Sequence, residues 1–348
     1  MPYSTLLNAK ISGISLCVPK DEFEVTDGKN LYNGDERKIN RLINSSGFFK
    51  RRVVNKTTTT SDLCLKAAQD IVAALNIDIQ TIDGLIFLSY TPDYIMPATS
   101  YVLHKKLGLS ENCIVMDIPQ ACSGYVIGLY QAAMLLNSGC KKVLLLVGDT
   151  FSKFSDMFSE TEPDIFGDAG SATILEYDKN AESMFFNINS KGEFYDSLIC
   201  KNGGFRNPVL VEQFYENGNY KYESKMEGKA IFDFTMEKIA PSIKDLLNYS
   251  KQDISSFDYI VLHQANKFIM QNIVNQIGFD ESKVPMKTLS KFGNQCGASI
   301  PSAICDNLSN EVASKNLKML LCGFGVGLSW ASVILNINNI YCSKIIEI

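Results

Sequence analysis

Short apolar runs alternate with longer stretches of helical period along most of the chain. Runs such as Gly84 to Ser89, Val143 to Gly148 and Tyr259 to His263 have strand length. The stretches between them, such as Ser61 to Leu75 and Phe232 to Leu247, place apolar residues three and four apart and predict helices. This alternation predicts a layered α/β fold with buried, largely parallel strands. The apolar strings are far too short to span a bilayer, so no membrane insertion is expected.

The pattern also repeats. A helical stretch, then Ile82-Asp83, then the strand from Gly84, then the helix SYVLHKKLG (Ser100 to Gly108) make one series. A helical stretch, then Phe257-Asp258, then the strand from Tyr259, then FIMQNIVNQIG (Phe268 to Gly278) make a second. Asp83 and Asp258 stand 175 positions apart, and the strands beginning at Lys142 and Lys318 keep nearly that offset. Two pseudo-duplicated β-α-β-α-β halves are the expected architecture, over residues 1–178 and 179–348. Equivalent loops of such halves meet at their joint, where pockets form. The stretch Phe185 to Lys225 breaks the pattern. It is rich in Asn, Gly, Tyr and Phe, with turn signals at Asn202-Gly203-Gly204 and Asn217-Gly218, and reads as a loop-rich insertion. Gly28 to Arg37 reads as another loop.

Composition narrows the function. The chain has 348 residues, 46% hydrophobic and 20% charged, as in an ordinary globular enzyme. A net charge of -5 with no basic stripe argues against nucleic acid as a partner. Met1 to Lys10 lacks the apolar core of a secretory signal, and the ten cysteines are scattered, several inside apolar runs. Reduced thiols in a cytoplasmic protein are expected, and the absence of CxxC or CxxH spacing argues against a zinc site.

One thiol stands apart. Cys122 lies in DIPQACSGYVIGLYQAAMLL, between a strand and an apolar helix. A thiol at a helix N-terminus feels unpaired backbone N–H groups and the positive end of the helix dipole, and both favour thiolate. A buried cysteine acting as a small hydrophobe is the other reading. Of the two histidines, His104 sits in a helical pattern beside Lys105 and Lys106 and reads as a boundary residue. His263 ends a strand and begins HQAN, where an α/β sheet places working side chains. Asn294 lies in FGNQCGAS, a small-residue turn ahead of a helix, as an amide donor to a carbonyl oxygen or as a turn residue. The bend Cys322-Gly323-Phe324-Gly325-Val326-Gly327 joins two strands and suits an oxyanion-binding amide.

Together these segments resemble the β-ketoacyl-acyl carrier protein synthase III family of the thiolase-like superfamily. The resemblance rests on ACSG, FGDAGSA (Phe166 to Ala172), HQAN, GNQCGAS and GFGVGLSW (Gly323 to Trp330), in family order. It implies a five-layer thiolase-like fold and a homodimer. It also implies Cys122 as nucleophile with His263 and Asn294 as its partners, and oxyanion-hole amides from Cys122 and Val326. Met96 would close the acyl pocket of the neighbouring subunit, and Phe324 would contact substrate. The implied reaction is acyl transfer to Cys122, then decarboxylative condensation with a malonyl thioester, with acyl-CoA or acyl-carrier-protein thioesters as substrates and no metal or redox cofactor.

Some positions depart from the family. Arg41 and Ser45 stand where a Trp and an Arg normally grip the adenine of coenzyme A, and after HQAN come Lys267, then Phe268, and later Asn275 and Gln276 where positive charge is expected. These changes predict a specialised member whose starter or carrier differs. The alternatives are an acyltransferase that moves the Cys122-bound group to an alcohol or amine, a non-decarboxylating condensation with Cys296 as base, and a non-catalytic partner subunit.

Overall fold

The computed structural model describes residues 3–27, 31–157, 164–208 and 224–348. In chain order, the first half runs β1 (Tyr3–Leu6), β2 (Ala9–Val18), β3 (Glu22–Glu24), α1 (Glu36–Ser46) and β4 (Lys50–Arg52). It continues with α2 (Thr60–Ala74), β5 (Gly84–Leu88), α3 (Thr99–Leu107), β6 (Ile114–Ile118), α4 (Gly124–Asn137), β7 (Lys142–Asp149) and β8 (Ala169–Tyr177). The second half begins with β9 (Met184–Ser190), β10 (Leu198–Cys200), β11 (Ser224–Met226), α5 (Gly228–Ser250), β12 (Tyr259–Leu262), α6 (Lys267–Ile277) and α7 (Thr288–Phe292). It ends with α8 (Ser299–Asn307), α9 (Ser309–Ser314), β13 (Asn316–Gly325), β14 (Ser329–Asn338), β15 (Tyr341–Cys342) and β16 (Ile346–Glu347).

Side-chain alternation along the strands builds five layers. In β7, Val143, Leu145 and Val147 point to one apolar cluster while Leu144 and Leu146 point to another. In β13, Met319 and Leu321 face that same first cluster, and Leu320 and Cys322 face a third. A period of two therefore loads both faces of both sheets with apolar side chains. The shared middle layer is α4 and α8, which contribute Tyr125, Leu129 and Ile304 between the sheets. The outer layers are α2 and α3 on one sheet and α5 and α6 on the other. α4 fits because it is small where it meets the sheet: a Cβ on Gly124 would lie 2.3 Å from Leu88. Truncating a middle-layer side chain such as Leu145 to alanine would cost roughly 2–5 kcal/mol, because neighbours held from both sides cannot collapse into the gap.

The strands are mixed rather than largely parallel. β5, β6 and β7 pair in parallel, but β8 runs antiparallel to both β7 and β2, and β14 antiparallel to β13 and β9. Fully buried strands carry continuous apolar runs in either direction, so the pattern does not encode the sense of pairing. The sheet orders are β15-β2-β8-β7-β5-β6 and β1-β9-β14-β13-β12, so each half lends a terminal strand to the other half's sheet.

The repeat is visible atom by atom. Asp83 Oδ2 accepts from the N–H of Lys142, and Asp83 N–H donates to Lys142 O at 2.9 Å. Asp258 Oδ2 accepts from the N–H of Lys318, and Asp258 N–H donates to Lys318 O at 3.0 Å. The expected insertion needs correction at its start. Residues 184–190 form β9, inside the second sheet, with Asn187 donating to Ser242 O and Oγ on α5. Leu198–Cys200 and Ser224–Met226 pair as a hairpin, and the turn signal at Asn217-Gly218 lies outside the described residues. The stretch read as a loop from Gly28 holds a turn at Leu31–Gly34 and the N-cap Asp35 of α1, with residues 28–30 outside the description.

Candidate active site

The joint between the halves encloses a cavity of about 520 Å³ lined by Cys122, His263 and Asn294. Cys122 is half-buried in the turn ahead of α4. The turn is tied to the opposite half through Ser123 and Ser329, whose hydroxyl oxygens are 2.7 Å apart. Ser329 spends its proton on Val326 O at 2.9 Å, so Ser123 donates to Ser329 and the bend at Val326 is held against the nucleophile loop.

His263 follows β12 and is buried. Its N–H donates to Cys322 O at 2.8 Å, and its Nδ1 lies 2.6 Å from Ser299 Oγ. Ser299 Oγ also accepts from the N–H of Gln264. With Nδ1 so occupied, Nε2 is the ring nitrogen left for Cys122, and Phe324 packs edge-on against the ring at 5.6 Å. Asn294 is placed by its backbone, which donates to Ile165 O and accepts from Gly167 N–H. Its side-chain Oδ1 accepts from Cys296 N–H at 3.0 Å, which leaves the Nδ2 donors for the cavity. FGDAGSA is thus a buttress: Gly167 contacts Asn294, and buried Asp168 accepts from the N–H groups of Val54 and Ser152.

The electrostatics favour a thiolate at Cys122. A hydrogen bond from the Cys296 thiol does most to lower the pKa of Cys122. The nearby His263, by charge and by hydrogen bond, and the Val326 N–H act in the same direction. Burial opposes them, and the net result is a thiol held well below its usual range. Cys296 moves the opposite way, raised by burial and by donating to Cys122. Room for the sulfur comes from Gly325, where a Cβ would lie 2.8 Å from Cys122 Sγ.

Phe324 lines the cavity. Val326 reaches Cys122 through its N–H, and its side chain is not among those lining the cavity. Met96 lies outside this cavity and is 84% exposed. Ser45 and Phe268 line the cavity mouth, whereas Arg41 is exposed and does not. His104 is a boundary residue with Nε2 2.9 Å from Ser110 O. Sequence reasoning missed Ser299 and gave Cys296 only the part of an alternative base. Both sit in GNQCGAS, a few residues after Asn294, and their contacts depend on a turn that sequence does not specify.

Fold and cavity together define the class: a thiolase-like α/β protein with a thiol beneath a helix N-terminus where its two halves join. Family models described as 3-oxoacyl-(acyl-carrier-protein) synthase III and as its C-terminal part match residues 116–192 and 247–337. A Campylobacter jejuni protein provisionally named 3-oxoacyl-(acyl-carrier-protein) synthase 3 is 33% identical, over 97% of this chain and 96% of its own. The β-ketoacyl-(acyl-carrier-protein) synthase III of Streptococcus mutans is 31% identical, over 94% and 99%. The crystal structure of a 3-oxoacyl-(acyl-carrier protein) synthase from Burkholderia xenovorans superposes with a TM-score of 0.91, at 32% identity and 99% coverage of both chains. The chain belongs to the 3-oxoacyl-(acyl-carrier-protein) synthase III family. Among the described residues no helix is long and apolar enough to cross a membrane.

Proposed function

We propose that the protein is an acyl-thioester condensing enzyme that loads an acyl group on Cys122 and joins it to a malonyl thioester with loss of carbon dioxide. The convergence of Cys122, His263 and Asn294 on one cavity carries this reading. In the first half-reaction the Cys122 thiolate attacks the donor thioester, and the N–H groups of Cys122 and Val326 hold the tetrahedral oxyanion. Collapse expels the donor as a thiolate, which takes up a proton. In the second, a malonyl thioester places its carbonyl oxygen between His263 Nε2 and Asn294 Nδ2. A Ser299 hydroxyl that donates to Nδ1 leaves the proton of the neutral ring on Nε2, the tautomer this step requires. Carbon dioxide leaves, the two donors stabilise the enolate, and its carbon attacks the acyl group to release Cys122 thiolate and a β-ketoacyl thioester.

The donor is read as a carrier-bound thioester. Among the described residues lining the cavity there is no Lys or Arg to meet the phosphates of coenzyme A, and apolar Phe232 and Phe268 stack at the mouth, 6.0 Å apart. A pantetheine arm suits such an entrance when the charged carrier stays outside. The protein is further read as a homodimer. Tyr94, Ile95, Met96 and Tyr101 form an apolar patch in which Ile95 and Met96 are 80% and 84% exposed, which a monomer rarely leaves open. A second copy covers this patch, and Met96 then closes its partner's acyl pocket.

Mixing the enzyme with acyl-carrier and malonyl-carrier thioesters tests the reaction. A β-ketoacyl-carrier product and stoichiometric carbon dioxide are expected. An acyl ester or amide formed from an added alcohol or amine, without carbon dioxide, would instead establish heteroatom transfer.

A further inference from the structure

His263 and the Val326 N–H have tasks in the reaction above, whereas Cys296, which also favours the Cys122 thiolate, has none. Its setting is unusual. Cys296 is buried and holds φ at +48°, a left-handed backbone that a side-chain-bearing residue rarely adopts. The Asn294 carboxamide pins that conformation by accepting its N–H. The turn is also pressed onto the nucleophile loop, since a Cβ on the next residue, Gly297, would lie 3.0 Å from Ala121 O. The backbone is thus held in a left-handed turn, pinned by Asn294 and packed against the loop that carries Cys122.

We propose that Cys296 is a further catalytic residue, whose thiol donates a hydrogen bond to the Cys122 sulfur and holds it as the attacking thiolate and, at the end of the cycle, as the leaving thiolate. The inference rests on Cys122 being the acylated nucleophile. Burial and the donated bond both keep the proton on Cys296, so it serves as a donor and not as the base of a non-decarboxylating condensation. Asn294 then has two uses at once: its Nδ2 faces substrate while its Oδ1 sets the donor.

The test is the pH dependence of Cys122 alkylation by iodoacetamide, read by site-resolved mass spectrometry, in the wild type and in C296S, C296A and C296G. Glycine tolerates the left-handed backbone and so removes the donor without adding strain. In C296A and C296G the midpoint should rise by about one unit, with roughly tenfold slower alkylation at neutral pH. C296S should restore both, and the KM for acyl donor should stay near the wild-type value while the acylation rate follows the midpoint. An unchanged midpoint in C296A and C296G, with wild-type Cys122 still acylated by thioesters, overturns the role of Cys296. Absence of any acyl adduct on wild-type Cys122 overturns instead the nucleophile assignment beneath it.

Discussion

In the proposed reaction three side chains divide the work between them, and their removal should separate the two half-reactions. Cys122→Ala should abolish acylation yet leave slow malonyl decarboxylation, because His263 and Asn294 still face the substrate carbonyl. His263→Ala and Asn294→Ala should still form the acyl-enzyme but lose decarboxylation by about 10²-fold or more, the usual loss when one donor to a developing oxyanion is removed. Carbon dioxide release and intact mass, measured on the same samples, check this partition, and equal loss of both half-reactions in all three variants would contradict it. The convergence of Cys122, His263 and Asn294 on one cavity was legible in sequence because each stands at a strand end or a small-residue turn. Ser299 and Cys296 were not, since a serine or cysteine in GNQCGAS gains meaning only once the turn aims it at His263 or Cys122.

At the scale of elements, β7 carries a group that couples the fold to pH. Asp149 at its end is fully buried, accepts from the N–H of Tyr90 and the Ser89 hydroxyl, and lies near the thiols of Cys122 and Cys296. Burial raises its carboxyl to about 8, whereas an unfolded aspartate titrates near about 3.9. The folded state therefore holds a proton that the unfolded state has released between these values. Stability from this group is complete below about pH 4, declines as pH rises, and is lost above about pH 8. Asp149→Asn keeps the acceptor and removes the titration, so its melting temperature should gain on the wild type progressively from pH 5 to 9. A constant gap across that range would contradict the buried-acid account. Element positions were legible because short continuous apolar runs alternate with stretches of helical period. β9 was not, because Asn187 and Asn189 gave Phe185–Ser190 a loop-like composition, and only the packing of α5 shows that Asn187 is satisfied inside the sheet. Strand direction was likewise hidden, since antiparallel β8 is as continuously buried as β5, which pairs in parallel.

The whole molecule is two similar halves whose joint is the cavity, with an apolar patch left over at Tyr94 to Met96. Replacing Met96 by aspartate should convert a dimer to a monomer in light scattering and slow acylation, while the core and the melting transition are retained. A wild-type protein that is monomeric at micromolar concentration would contradict the shared-pocket reading. The duplication was legible from Asp83 and Asp258, because the same carboxylate caps the same strand start in each half. The exchange of terminal strands was not, since pairing partners of short end strands are chosen by the assembled sheet. The most direct measurement is intact-protein mass spectrometry with peptide mapping after incubation with acyl-carrier thioesters. One acyl group per chain, on the peptide holding Cys122 and discharged by malonyl-carrier with release of carbon dioxide, is the predicted result. An acyl group on another cysteine, or none, would contradict the account at its root.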